Sequence, residues 1–346
     1  MITVKEIAQM CNVSVSTVSN ILNGKPNASE ETRRRVWEAI KQTGYQPNYF
    51  AQSIRKKKSK VISIVVEDLG EFSTPPIVEA AMEYCEEQGY RCVLINLRLY
   101  NKWKASWYDE EDLVKAALKP HIQEILSIKS DGVLYIAGHC RYIDYFPQDF
   151  LLPVVLAYGL AVENKYPSVV IDDEKGGYDI TKYLLEKGHG KIGVVTGVKD
   201  NLHTKERLAG YKRALAEANI AYEPKLICEG DWSRRSGYAH MSDLLEGGVS
   251  AVFAMNDSMA AGVYDYLYEQ ELVPGEDISV IGYDNKELAE YLRPELSTNQ
   301  VPLKEIGHRA AQILLERLES EEPERNNEPI RLPCKMIHRK SVADLN

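Results

Sequence analysis

From Val61 onward the chain repeats one pattern: a short run of β-branched and apolar residues, then a stretch with helical periodicity. The runs are VISIVVE (61–67), YRCVLIN (90–96), GVLYI (132–136), PVVLA (153–157), SVVI, KIGVVT, KLIC, AVFAM and ISVIGY. Their hydrophobicity is continuous rather than alternating, which marks strands buried on both faces of a parallel sheet. Helices are predicted over 77–88, 111–128 and 174–187, around 204–218 and 234–246, and from Ser258 to Glu271. Strand–helix alternation of this kind makes parallel sheets with helices on both faces, and ligands bind beyond the strand ends of such sheets. YNKWKASWYDEED (100–112) reads as an exposed loop leading to a helix, and SEEPERNNEP (320–329) as a polar loop.

The first sixty residues obey a different rule. Thr3-Val4-Lys5-Glu6 is a capping box, with Thr3 at the N-cap and Glu6 at N3. Ile7, Ala8 and Cys11 give the first helix a buried face, and Asn12 suits the left-handed residue that ends it. Ser14 stands where a second N-cap belongs; Val18, Ile21 and Leu22 then fall at i, i+3 and i+4. Val15, Ser16, Thr17, Ser19 and Asn20 occupy the other side and the start of that helix. Helix, short turn, helix, with small hydrogen-bonding side chains on the exposed N-terminal face, suits reading of base edges in a DNA major groove. A third helix starts at Ser29, carries Arg33, Arg34 and Arg35, takes its apolar contacts from Val36, Trp37 and Ile40, and ends at Gly44.

Net charge at first argues against a nucleic-acid partner, at −9 for 346 residues. Its distribution reverses the argument. Residues 1–60 hold eleven Lys and Arg against four Glu, while the rest holds 31 basic and 47 acidic residues. A basic arm on an acidic body confines the nucleic-acid contact to one end. No run of eighteen apolar residues exists and the polar start shows no signal peptide, so the expected location is the cytoplasm, at the nucleoid when DNA is bound, with no membrane partner. The six cysteines are scattered without a CxxC pair, which suggests free thiols. G-x4-G-K-[ST], a G-x-S-x-G elbow and H-E-x-x-H are all absent, and Gly188-His189-Gly190 of GHGKIG turns a helix into a strand rather than opening a phosphate loop, so no enzyme, catalytic residue, cofactor or metal is assigned. Asp172 and Asp173 read as an N-cap for the following helix rather than a metal site, and His189 and His203 stand alone.

TVKEIAQMCNVSVSTVSNILNG and SEETRRRVWEAIKQTGYQPNYFAQSIRKK resemble the DNA-binding headpiece and hinge of the LacI/GalR family of bacterial transcription regulators. DDEKGGYDITKYLLEKGHGKIGVVTG (172–197), RLAGYKRAL, GDWS, FAMNDSMAAGVY and ISVIGYDN are similar to that family's effector domain, itself related to periplasmic sugar-binding proteins. The resemblance covers nearly the whole chain. It implies an α/β protein: an all-α helix-turn-helix headpiece over 1–46, a hinge with a short DNA-ordered helix over 47–60, and a two-lobed periplasmic-binding-protein-like core over 61–346. Lobe one is expected over about 61–160 and 293–322, lobe two over about 161–292 and 323–346.

The resemblance also implies the site residues. DNA contacts fall to Thr3, Val15, Ser16, Thr17, Ser19, Asn20, Asn23, Tyr45 and Asn48, and in the hinge to Gln52, Ser53, Ile54 and Arg55. Ile54 takes the place of the leucine that wedges into the minor groove, where an apolar β-branched side chain can also wedge. Asn20 replaces the commoner arginine and suits adenine, with which an amide pairs bidentately. In the cleft, Arg207 is the fork donor, Asp284 the carboxylate acceptor, Asn256 a mixed donor and acceptor, and Trp232 a flat apolar face. Tyr158, Phe72 and Ser73 are further candidates, and Val301 departs from the family's usual glutamine. The implied partners are operator DNA, a second copy of the chain and a small-molecule effector, a sugar or sugar derivative first and a nucleobase as the alternative. IHRKSVADLN carries no leucine-heptad tail, which favours a dimer.

Overall fold

The computed structural model describes residues 2–22, 25–45, 59–104, 110–320 and 326–346. Asn23, Asn48, Gln52, Ser53, Ile54 and Arg55, and with them the expected hinge helix, lie outside the described residues. The chain divides into two units, Met1–Ser59 and Lys60–Asn346.

In the first unit, α1 (Val4–Met10), α2 (Val15–Leu22) and α3 (Glu30–Thr43) enclose a small core of Ile7, Ala8, Cys11, Val18, Ile21, Val36 and Ala39. The capping box at Thr3 forms, and Asn12 turns the chain at φ 45°. Arg35 donates to the carbonyl of Cys11 at 2.6 Å, tying α3 to the end of α1. Trp37 is exposed, not a core contact. Val36, Ala39 and Ile40 define the packed face of α3, and Trp37 lies about 100° around the helix from Val36.

The second unit holds two six-stranded sheets. The first has the order β13-β7-β5-β3-β1-β2, built from Val61–Val66 (β1), Arg91–Asn96 (β2), Gly132–Ile136 (β3), Val154–Ala157 (β5), Ser168–Ile171 (β7) and Ile330–Leu332 (β13). All its pairings are parallel. Both faces are covered, which is why its strands read as continuous apolar runs. Ile62, Ile64 and Val66 belong to one core with Ile77, Ala81, Ile306 and Leu314; Val65, Val133 and Tyr135 belong to another with Val114, Leu118 and Ile122. A two-stranded parallel ladder, Tyr142–Ile143 (β4) with Leu160–Ala161 (β6), stands apart from both large sheets.

The second large sheet has the order β14-β12-β11-β10-β8-β9, from Ile192–Thr196 (β8), Ile227–Glu229 (β9), Ala251–Ala254 (β10), Ser279–Asp284 (β11), Ser297–Gln300 (β12) and Lys335–Ile337 (β14). Only β14 runs antiparallel, against β12. The chain therefore crosses between lobes after Ile171, after Gln300 and after Leu332. These crossings correct the lobe boundaries at 160, 292 and 322. Ser168–Ile171 pairs with β5 in register Leu156↔Ser168 and so belongs to lobe one, while Ser297–Gln300 extends β11 and belongs to lobe two. Leu303–Glu319 is a long helix on lobe one, with Gly307 against the backbone of Ile77. Leu99–Trp103 is helical within the stretch read as loop, and the helix expected over 234–246 is broken at His240 into Arg234–Ala239 and Met241–Glu246.

In lobe two, the helices Asp173–Glu186 and Leu202–Glu217 pack backbone to backbone. A Cβ on Gly177 would stand 2.1 Å from the carbonyl oxygen of Arg207, and one on Gly210 2.0 Å from that of Glu174. The absent side chains let the first turns of both helices converge on the strand ends.

Candidate functional site

The exposed face of the first unit is the N-terminal turn of α2. The Ser14 hydroxyl accepts the Thr17 amide at 3.1 Å and lies 2.7 Å from the Ser16 hydroxyl and 2.8 Å from that of Thr17. This cap satisfies a free N–H and fixes the side chains that project beyond the helix start. Ser16 is exposed and Thr17, Ser19 and Asn20 are half-buried, while Val18 and Ile21 are buried beneath them. Thr3 is exposed but occupied, donating to Glu6 Oε2 at 2.8 Å and accepting the Glu6 amide. Val15 and Tyr45 pack against the headpiece core. The contribution of Val15 to the face is therefore shape rather than a polar group.

In the second unit the candidate effector residues gather at the strand ends of the two lobes. Arg207 is 2% exposed. Its Nε donates to Asp173 Oδ1 at 2.7 Å, its Nη1 donates to the carbonyl of Met255, and its guanidinium lies over the Tyr283 ring, 3.5 Å from the centroid. Its fork is thus already partly committed, and Nη2 has no hydrogen-bond partner among the described residues. Burial opposes the charge, but Asp173, Tyr283 and Asp284 more than offset it, so Arg207 stays protonated. Asp173 is the reciprocal case: burial would raise its pKa, and Arg207 and His203 overcome that and hold it far below the usual carboxylate range. Sequence reasoning placed Asp173 in a cap. Asp172 does the capping, accepting from the Lys175 amide at 3.1 Å, and Asp173, one residue on, faces inward.

Asp284 ends β11 at φ 108°, with Asn285 at φ 56°, a strained turn for two non-glycine residues. Asp257 and Thr298 pin that turn: Asp257 Oδ2 accepts the Lys286 amide at 2.7 Å, and its Oδ1 accepts the Thr298 hydroxyl at 2.6 Å. Lys286 Nζ pairs with Asp284 Oδ2 at 3.1 Å and lies 4.2 Å from the Phe72 ring centroid, reaching from lobe two to lobe one. Burial, and then Asp284, push the Asp257 carboxyl up to about 7; burial also raises Asp284, against the pull of Lys286 and Arg207. A carboxyl raised in the native state binds a proton there that the unfolded chain releases near pH 4. Its contribution to stability is therefore lost as pH rises from about 4 through about 7. Asp257→Asn keeps the shape of the protonated acid. We expect it to stabilise the core at pH 8 and to do so much less at pH 5, as read from urea midpoints at both pH values. Equal effects at the two pH values would refute the raised carboxyl.

The remaining candidates divide by role. Asn256 caps the Asp257–Glu269 helix, accepting from the Met259 amide at 2.7 Å and donating to the Trp232 carbonyl at 3.0 Å, so it is largely spent on holding Trp232. Trp232, at φ 69°, lies across Gly197, where a Cβ would come within 1.9 Å of the indole. Tyr158, at φ 63° and 4% exposed, meets the His203 ring at 5.2 Å from the other lobe. Phe72 is exposed, whereas Ser73 is fully buried with its hydroxyl toward the Gly138 carbonyl, which removes it from the open surface. Val301 is buried in the core. His203 and Asp173 are the cleft residues that sequence reasoning did not assign. In lobe one, Glu67 is wholly buried and takes Arg141, the Tyr135 hydroxyl at 2.7 Å and the Gly138 amide at 2.7 Å. Among the described residues, no group of three metal-ligating side chains occurs and no helix is long and apolar enough to cross a membrane.

A capped helix-turn-helix unit and a two-lobed parallel-sheet body with polar groups gathered at its strand ends define a regulator of the periplasmic-binding-protein-like class. Residues 3–48 match the family described as bacterial regulatory proteins, lacI family, and residues 181–342 match the periplasmic binding protein-like domain. The chain is 33% identical over 350 residues to the HTH-type transcriptional repressor PurR of Aliivibrio salmonicida and 32% over 351 residues to that of Vibrio atlanticus, covering 100% of both chains in each case. Among solved structures, a LacI family transcriptional regulator from Enterococcus faecium with bound ribose is 26% identical with a TM-score of 0.62, covering 83% of this chain and 100% of that one. The lac repressor bound to ONPG shares the fold with a TM-score of 0.78 at 24% identity, covering 99% of each chain. The chain belongs to the lacI family of bacterial regulatory proteins.

Proposed function

We infer that the chain is a DNA-binding transcriptional repressor that pairs with a second copy, sets its two headpieces in successive major grooves of a near-palindromic operator, and answers to a small molecule held between its lobes. The observation that carries this reading is the Ser14-capped, exposed start of α2 inside the segment that matches the lacI family. Asn20 lies one turn further along that helix. Asn20→Ala is expected to cost about 1–3 kcal/mol at one operator base pair and little on random DNA. Competition binding at one salt concentration with single-substituted operators measures it, and equal losses on both DNAs would place Asn20 on phosphate or on nothing.

For the effector, a nucleobase is the better reading and a sugar the second. We take the PurR name of the full-length relatives above 30% identity as pointing to a purine. The site chemistry agrees. A base offers flat apolar faces and in-plane donors and acceptors. Trp232 and Tyr158 offer rings, Asp284 a carboxylate, and Arg207 the free end of its fork. The charges also cancel in pairs, Arg207 with Asp173 and Lys286 with Asp284, which suits an uncharged ligand. The sugar reading rests on relatives of 26% identity described with cellobiose and with ribose. A thermal-shift panel of purine bases, pyrimidine bases and simple sugars decides between them. We expect purine bases to raise the melting temperature and to alter operator affinity; a response to sugars alone overturns the nucleobase reading and leaves the repressor.

A further inference from the structure

Neither His203 nor Asp173 is a site residue implied by the family resemblance, yet the fold brings the two together at a buried polar junction. Asp173 Oδ2 lies 2.6 Å from His203 Nδ1, and both residues are nearly inaccessible, at 2% and 7% exposed. The other Asp173 oxygen holds Arg207. An ionised carboxylate only accepts, so Nδ1 must carry the imidazole proton. On the opposite side of the ring, Nε2 faces the backbone N–H of Cys140 at 3.2 Å. A backbone amide only donates, so Nε2 must present its lone pair. The two contacts together require a neutral imidazole of one tautomer.

That imidazole joins the lobes. Cys140 follows β3 in lobe one, and His203 lies on the Leu202–Glu217 helix of lobe two. The same helical turn carries Leu202, which packs against Cys140, Leu160 and Val170 of lobe one, and Glu206, which receives both arms of Arg331 from β13 at 2.7 and 2.9 Å. We propose that Asp173 and His203 form a proton-sensitive latch that couples the position of Arg207 to the contact between the lobes. Protonation places an N–H on Nε2, and two donors then face each other in a site closed to water. The hydrogen bond is lost, a second cation stands beside Arg207, and the open arrangement of the lobes gains population. The coupling to effector rests on the reading of Arg207 as an effector contact; the latch does not.

Charged and titratable groups face the His203 ring from both lobes. Asp173 faces it from the Asp173–Glu186 helix, Arg207 and Glu206 from its own helix, Asp284 from β11, and Arg331 from β13. Lobe one contributes His139, Cys140 and Tyr158. Burial keeps His139 neutral, and raises the Cys140 thiol and the Tyr158 hydroxyl, so both stay protonated. Asp257 changes charge near neutrality, but its hydrogen bonds go to Thr298 and Lys286 within lobe two.

The test uses the full chain without ligand. Hydrogen-exchange protection factors of the Cys140 amide, corrected for intrinsic rate, are followed from pH 8 to pH 5.5. One-proton linkage predicts that protection falls by up to about tenfold per pH unit where the latch takes up a proton. His203→Gln carries a side-chain oxygen that can accept from Cys140 and does not titrate, so its protection should stay flat. His203→Asn reaches Asp173 but not Cys140 and should show low protection throughout. Wild-type protection that does not change with pH overturns the latch whether or not the variants fold, as does a wild-type slope retained in His203→Gln. A ligand panel without hits would count against the effector reading and leave these results standing.

Discussion

Asp173→Ala is expected to destabilise the core by about 3–5 kcal/mol, since it removes the common partner of two buried groups and leaves Arg207 as an unpaired cation. Guanidinium unfolding followed by tryptophan fluorescence measures it. The pH dependence has a definite sign. Asp173 has a folded-state pKa depressed below its unfolded value, so its stabilisation is complete above about pH 4 and is lost as pH falls through the folded value. The gap between wild type and Asp173→Ala should therefore narrow as pH falls below about 4. Asp173→Asn separates charge from shape. Its amide can still accept from Arg207 but would donate to His203 Nδ1, forcing the other tautomer and turning an N–H toward Cys140. A loss below about 1 kcal/mol for Asp173→Ala would mean that water reaches the pair and that Arg207 is not held by it.

Arg207 shows where the sequence was legible and where it stopped being so. Its position at a strand–helix junction of lobe two is readable from RLAGYKRAL and from the alternation around it. Its partner is not, because Asp173 lies 34 residues away and only the close crossing at Gly177 and Gly210 brings the two together. The headpiece helices were legible because caps and 3.6-residue periodicity are local: Thr3, Asn12, Ser14, Ser29 and Gly44 all act where the sequence places them. Trp37 was misplaced by one step of that periodicity. Lobe membership was misjudged for a different reason. SVVI at 168–171 and AVFA at 251–254 are alike as buried strands, and only the parallel register with a distant neighbour assigns each to its sheet. The Leu303–Glu319 helix carries its own signal, since Leu303, Ile306, Ala310 and Leu314 fall on one face. Asn256 and Ser73 illustrate a last limit: residue type gave their hydrogen-bonding capacity, but not that neighbouring backbone would consume most of it.

Asp284→Asn is expected to weaken effector binding tenfold to a hundredfold, because it replaces a charged acceptor, and hydrogen bonds to charged groups are worth roughly 1.5–3 kcal/mol. The same substitution should not lower stability as Asp173→Ala does. Asp284 is a buried carboxyl whose pKa is raised, so its ionised form costs the native state free energy at neutral pH. Removing the charge relieves that cost and also releases Asp257 from its like-charged neighbour. The strained turn keeps its anchors, since the Lys286 amide and the Thr298 hydroxyl are held by Asp257. The variant thus separates binding from folding, which Arg207→Ala cannot do, because it strands Asp173. Operator affinity without effector should match wild type, since the headpiece is a unit of its own. Titration calorimetry with whichever compound the panel identifies, paired with urea unfolding at pH 8, reads both quantities. Wild-type effector affinity in Asp284→Asn would remove Asp284 from the site, and a loss of stability comparable to that of Asp173→Ala would show its charge to be structural.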